Sequence, residues 1–211
     1  CIGNVNNFPI FTSETMQNFS ETLQVDTLLF VDASVANPGY FTDAAVDGTE
    51  VVLLDSTKDG ITQISSVLSN YTNLSSVQVI SHGSSGTLQL GNSILSSATI
   101  GANENELASW GESLSSGADI LFFGCNVADG TTGQSFVNQL STLTGADIAA
   151  SDDLTGAAAL GGDWDLEYAT GTIEAEYAIL QRSRYANASS YLEGYTGLLN
   201  ALITTNQANN S

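Results

Sequence analysis

The sequence predicts one α/β domain built on a mainly parallel sheet. Five short apolar runs, 27–32, 50–55, 76–80, 118–123 and 147–150, recur along the chain. Most of the segments between them place apolar residues at helical spacing. Strands that alternate with helices need crossover connections, which make the sheet parallel and cover both of its faces. The third and fourth runs lead into Ser81-His82-Gly83 and Gly124-Cys125-Asn126. These are carboxyl ends of strands, where such sheets gather their ligands.

Each element has its own signal. Residues 1–26 are polar and mixed and read as an N-terminal arm anchored by Phe8, Ile10, Phe11 and Phe19. The runs 27–32 and 50–55 are continuous apolar stretches closed by Asp32 and Asp55, as buried strands are when a loop follows. Residues 59–71 read as a helix capped by Asp59, with Ile61, Ile64, Val67 and Leu68 on one face. Residues 86–95 alternate around Gly91-Asn92 and predict a hairpin. Helices are expected over 104–114 (Leu107, Trp110, Leu114 inward) and 133–143 (Phe136, Val137, Leu140, Leu143 inward). A C-terminal hairpin is expected over 164–177, turning at Thr170-Gly171. Residues 191–203 suit a short apolar helix, and 208–211 a disordered end. The chain divides into an arm (1–26), the α/β domain (27–180) and a tail (181–211) that reads as a linker or a processed end.

Composition narrows the function. The 211 residues suffice for one full core. Twenty-three acidic residues face three basic ones, Lys58, Arg182 and Arg184, for a net charge of −20. Nothing here can neutralise phosphates, which excludes nucleic acid and anionic membrane surfaces as partners. No apolar run reaches the roughly 18 residues of a membrane span, so no membrane insertion is expected. The acidity suits a secreted or cell-surface protein. The chain starts at Cys1 rather than Met, as a processed product or fragment does, and two cysteines make no disulfide framework.

No metal site is expected. The acidic residues form no Asp-x-Asp-x-Asp-Gly loop, and Asp163, Asp165 and Glu167 alternate as a solvated strand face does. One His and one internal Cys exclude a zinc site, and no phosphate-cradling Gly loop with a Lys is present. The expected chemistry requires no cofactor and leaves calcium open.

One imidazole and one internal thiol, at the ends of consecutive strands, form the minimal pair for nucleophilic catalysis. Each alone also suits a structural place, the Cys as a small core residue and the His beside a turn. Together, His82 would serve as general acid/base and Cys125 as nucleophile. The N–H groups of Gly83 and Cys125 would form an oxyanion hole.

The stretches Val79-Ile-Ser-His-Gly-Ser-Ser-Gly86, Leu121-Phe-Phe-Gly-Cys-Asn-Val-Ala128 and Ala149-Ala-Ser-Asp-Asp-Leu-Thr-Gly156 carry a resemblance. In order and setting the chain resembles the caspase-like (clan CD) cysteine peptidases, where a His-Gly closes one strand and the Cys closes the next. Caspases hold the His about 50 residues ahead of the Cys; here the gap is 43. The chain also resembles an uncharacterised bacterial domain of the DUF4347 type, found near the front of large secreted repeat proteins and adhesins. The caspase Gln-Ala-Cys-Arg-Gly signature is absent, so a preference for Asp before the cut does not carry over.

The resemblance implies a caspase-like three-layer sandwich and a cysteine endopeptidase acting on polypeptide, its own parent chain included. In the Arg- and Lys-cutting members an acid near the end of the fifth strand lines the specificity pocket. Asp152 and Asp153 stand there, Asp153 foremost, although Ser-Asp-Asp-Leu-Thr-Gly is equally a turn sequence. Cleavage after Arg or Lys would make Arg182 and Arg184 autocleavage sites. The contrasting expectation is a non-catalytic head module of an adhesin-like protein.

Overall fold

An apolar run such as Leu28-Leu-Phe-Val31 suits the middle of a sheet, and β1 (Thr27–Asp32) holds it there, buried from Leu28 onward. The computed structural model describes residues 24–179 and 194–200. After β1 come α1 (Gly39–Ala44), β2 (Thr49–Leu54), α2 (Gly60–Leu68) and β3 (Leu74–Ile80). A small antiparallel sheet follows, β4 (Gly83–Ser84), β5 (Thr87–Leu90) and β6 (Ser93–Ser96). Then come α3 (Glu104–Glu112), β7 (Leu114–Phe123), α4 (Gly130–Thr144), β8 (Asp147–Ala150) and β9 (Tyr168–Ala169).

The large sheet has the order β2-β1-β3-β7-β8-β9, parallel throughout except for β9. The chain winds outward from β1 to β2, crosses back to β3, and then runs outward the other way. The winding reverses between β1 and β3, which makes their carboxyl ends the topological switch point of the sheet.

Strand alternation builds two cores. On one face Phe30, Val77, Val79, Ile120 and Phe122 meet α2, α3 and α4 through Ile64, Leu107, Trp110, Phe136 and Leu140. The indole N–H of Trp110 donates to Ser65 Oγ at 2.8 Å and ties α3 to α2. On the other face Leu29, Val31, Ile80, Leu121 and Phe123 meet Phe41 and Ala44 of α1. Extended chain completes this second layer with Trp164, Ala178, Ile179, Tyr195 and Leu199. The result is a mixed α/β sandwich of three layers.

The polar residues on the second face serve that extended cover. Gln78, fully buried, accepts from the N–H of Ala178 (2.8 Å) and donates to the carbonyl of Glu176 (2.8 Å). Asp119 accepts from the N–H groups of Glu174 and Ala175. Two side chains thus satisfy a strip of backbone that no strand pairs with.

Most expected elements are present, with bounds shifted at their ends. Asp59 caps α2 by accepting from Thr62 N at 2.7 Å. The small hairpin turns at Gly91-Asn92 between β5 and β6. The C-terminal hairpin is the antiparallel pair of β8 and β9 rather than the two halves of 164–177, because Gln78 and Asp119 divert 174–178 across the sheet face. The short α1 follows Pro38 without a side-chain cap, so its sequence carries no start signal.

One expectation is corrected. The apolar helix over 191–203 does not form across 194–200, which is extended and bridges Gly83 and Gly156. Gly194 and Gly197 disfavour a helix, and neighbouring backbone supplies hydrogen bonds to Gly197 and Leu199. The arm up to residue 23, Cys1, Arg182, Arg184 and the chain end after 200 lie outside the described residues. Among those described, no helix is long and apolar enough to cross a membrane.

Gln78→Ala should strand the Ala178 N–H and the Glu176 carbonyl inside the second layer. The expected loss is about 2–4 kcal/mol of unfolding free energy, read as a lower urea midpoint with little change in slope.

Candidate active site

The site is set by a register. Ile80 pairs with Phe123 in the parallel ladder of β3 and β7, and Ser81 N continues it to Phe123 O at 3.1 Å. Two residues beyond each partner stand His82 and Cys125. Gly83 is packed so closely that a Cβ there would lie 2.6 Å from Val127 Cγ2 and 2.9 Å from the Cys125 carbonyl oxygen. Only glycine lets the two strand ends meet this way.

His82 is nearly buried, and one of its nitrogens lies 3.2 Å from the carbonyl oxygen of Ser34, beyond the end of β1. A carbonyl only accepts, so Nε2 carries the proton. In the neutral ring Nδ1 is then the unprotonated nitrogen. Nδ1 is buried and has no hydrogen-bond partner. Ser34 is itself fixed: its N–H and hydroxyl both donate to Asp32 Oδ1, at 2.8 and 2.6 Å. The other oxygen of that buried carboxylate accepts from Gly91 N at 2.5 Å. Asp32 thus orients Ser34, and Ser34 orients the imidazole across the switch point.

Cys125 is fully buried. Its Sγ accepts from Thr155 N at 3.2 Å and lies 3.4 Å from Thr155 O. Burial pushes the thiol above its ordinary range, the Asp153 charge pushes the same way, and the Thr155 N–H opposes them. Thiol and imidazole are not hydrogen-bonded to each other, since Nδ1 has no partner.

The backbone N–H groups of Gly83 and Cys125 donate to one and the same oxygen, the carbonyl of Leu199, at 2.8 and 3.2 Å. That carbonyl belongs to the extended stretch 194–200. The same stretch pairs with the chain after β8: Leu199 N donates to Thr155 O (3.0 Å), and Ala157 N donates to Gly197 O (2.8 Å). Gly156, at φ +133°, lies so close that a Cβ would run into the Gly197 carbonyl. The Leu199 side chain is fully buried in the cluster holding Val31, Ile80, Phe123 and Cys125. Tyr195 anchors the stretch against Phe41 and Trp164, with ring centroids 5.0 and 5.6 Å away.

Asp152 and Asp153 follow β8 at the same edge and are exposed. The Asp152 N–H donates to Glu167, while Asp153 bonds Ser151 through its carboxylate and Asn126 N through its carbonyl. The Asp153 carboxyl is raised by partial burial and by Asp163. Asp153, Asp163 and Glu167 bring their ligand oxygens within 4.8 Å of one another, all on the surface. Ser34, Thr155 and Leu199 were not among the expected site residues. The Asp32-x-Ser34 turn was the one available signal for the first. Thr155 and Leu199 enter through backbone atoms, which no residue type announces.

The single histidine makes its tautomer directly testable. Long-range 15N–1H correlation should show one imidazole, with Nε2 protonated and Nδ1 bare in the neutral form; the opposite assignment would break the Ser34 contact. A second expectation concerns alkali. Burial pushes Tyr195 and Tyr177 up to about 12 from an ordinary 10.0. A raised folded-state value contributes stability that is intact below pH 10 and is lost as the pH climbs toward 12. Thermal melts should therefore fall across that window, and Tyr195→Phe should flatten part of the fall.

No curated protein and no solved structure matches the chain. The model of a domain of unknown function, DUF4347, matches residues 28–192, which takes in the large sheet from the second residue of β1 and the His82 and Cys125 strand ends. The chain therefore belongs to the DUF4347 family.

Proposed function

We propose that this domain is a cysteine endopeptidase in which Cys125 attacks a peptide carbonyl and His82 moves the proton. What carries the proposal is the pair of N–H groups, from Gly83 and Cys125, that converge on one carbonyl oxygen beside the thiol. Donors at 2.8 and 3.2 Å are placed as an oxyanion needs them. The resemblance to caspase-like peptidases, drawn from the His-Gly and Cys strand ends, supports the same roles. The likeness to domains of secreted repeat proteins supports a place outside the cell.

The chemistry follows from the atoms present. Nδ1 takes the thiol proton, and Sγ forms a bond to the carbonyl carbon. The oxyanion rests on Gly83 N–H and Cys125 N–H. The C–N bond then breaks, the amine leaves with the proton from Nδ1, and the acyl group stays on Sγ as a thioester. Water adds to the thioester and gives its proton to Nδ1. The C–S bond then breaks to yield a carboxylic acid, and the imidazole returns its proton to the thiolate. Throughout, Ser34 O holds Nε2–H and keeps Nδ1 as the working nitrogen. With only three basic residues in the chain, backbone dipoles carry the developing negative charge.

A peptidyl acyloxymethyl ketone should label Cys125 at least about 100-fold faster in the parent chain than in His82→Ala, the scale of a lost acid/base group. Leu199→Asp is run alongside so that an occupied site cannot mask the thiol. Labelling of Cys125 no faster than Cys1 in both chains would overturn the proposal and leave a non-catalytic head module.

A further inference from the structure

The oxygen on the Gly83 and Cys125 N–H pair comes from the protein itself. We infer that the 194–200 stretch is bound as the site's own peptide substrate, and that the Leu199–Asn200 bond is the one presented to Cys125. This deepens the peptidase reading and rests on it.

Four observations agree. Leu199 O occupies the N–H pair, so its carbonyl carbon is the one made electrophilic. Leu199 N and Gly197 O bond the backbone of Thr155 and Ala157, as an extended peptide does when it adds a strand to an edge. Thr155 O accepts from Leu199 N (3.0 Å) and also lies 3.4 Å from Cys125 Sγ, so one carbonyl aligns thiol and peptide. The leucine side chain is fully buried in apolar surroundings, whereas Asn200, just beyond, is exposed.

The selectivity follows from that burial. The apolar cluster that buries Leu199, which also holds Val31, Ile80 and Phe123, accepts a branched apolar side chain. An Arg or Lys there would carry a charge into a fully buried apolar seat. Leucine, not Arg or Lys, is therefore the residue before the cut. Cleavage adds one water across the Leu199–Asn200 bond, giving a carboxylate on Leu199 and a new amine on Asn200. Cys125 and His82 are regenerated through the thioester.

The full 211-residue chain is incubated without ketone and its intact mass followed, while a parallel sample is treated with ketone to show that Cys125 labels in a His82-dependent way. The expected result is conversion to a product ending at Leu199, with none from Cys125→Ala. Leu199→Met should still be cut at this bond, and Leu199→Arg should lose the cut by 100-fold or more. A ketone ending in Tyr-Thr-Gly-Leu-Leu should outpace the same ketone ending in Arg. An uncut chain whose Cys125 still labels would overturn self-cleavage and leave the peptidase standing. A cut after Arg182 or Arg184, or faster labelling by the Arg-ended ketone, would overturn the leucine seat alone. Labelling of Cys125 by neither ketone, even in Leu199→Asp, would remove both readings.

Discussion

The parallel register that sets Ile80 beside Phe123 governs everything at the carboxyl edge of the sheet. From it follow the places of His82 and Cys125 at neighbouring strand ends and the shared aim of the Gly83 and Cys125 N–H groups. A slip of one residue would reverse the faces of Val79, Ile80, Phe122 and Phe123, each of which is buried in its own layer. Two full cores therefore hold a geometry that no contact within the site could hold alone. The glycine at 83 completes the arrangement, because any side chain there would drive the strand ends apart.

Around that edge the chain positions by hydrogen bonds rather than by charge. Asp32 serves Ser34, Ser34 serves His82, and Thr155 serves both Cys125 and Leu199. Each link ends on a backbone atom, which moves less than a long side chain and costs no rotamer entropy. The acidic surface has its own consequence. Asp153 lies near enough to oppose thiolate formation. The resting thiol is thus held neutral by burial and by field together.

The sheet was legible because its strands are uninterrupted apolar runs, and residues such as Phe30 or Ile120 have nowhere to go but a core. The placing of His82 and Cys125 at equivalent ends was legible for the same reason: parallel direction follows once helices are found between strands. The second layer was not. Its cover is extended chain held by Gln78, Asp119 and aromatic contacts, and nothing periodic marks such a segment. Leu198 and Leu199 look helical as an apolar pair, yet bonds from Leu199 N to Thr155 O and from Ala157 N to Gly197 O hold the stretch extended, where Gly197 would interrupt a helix. A site built from carbonyl and amide groups leaves little trace in residue types, so His82 and Cys125 were visible and Ser34 and Thr155 were not.

A peptide tethered to its own site competes at a local concentration on the millimolar scale, far above most free peptides. In sequence, residues 180–193 join the domain to the seated strand. A cut beyond Leu199, as proposed, would convert the seated carbonyl to a carboxylate, which the same two N–H groups can hold. Tyr195, packed on Phe41 and Trp164, still anchors the strand after the cut. On the proposed peptidase reading, the arrangement would favour one self-directed event over repeated turnover on outside substrates. On that reading a second round would require the aromatic anchor to let go, so the packing of Tyr195 on Phe41 and Trp164, rather than the chemistry at Cys125, would set whether the site opens.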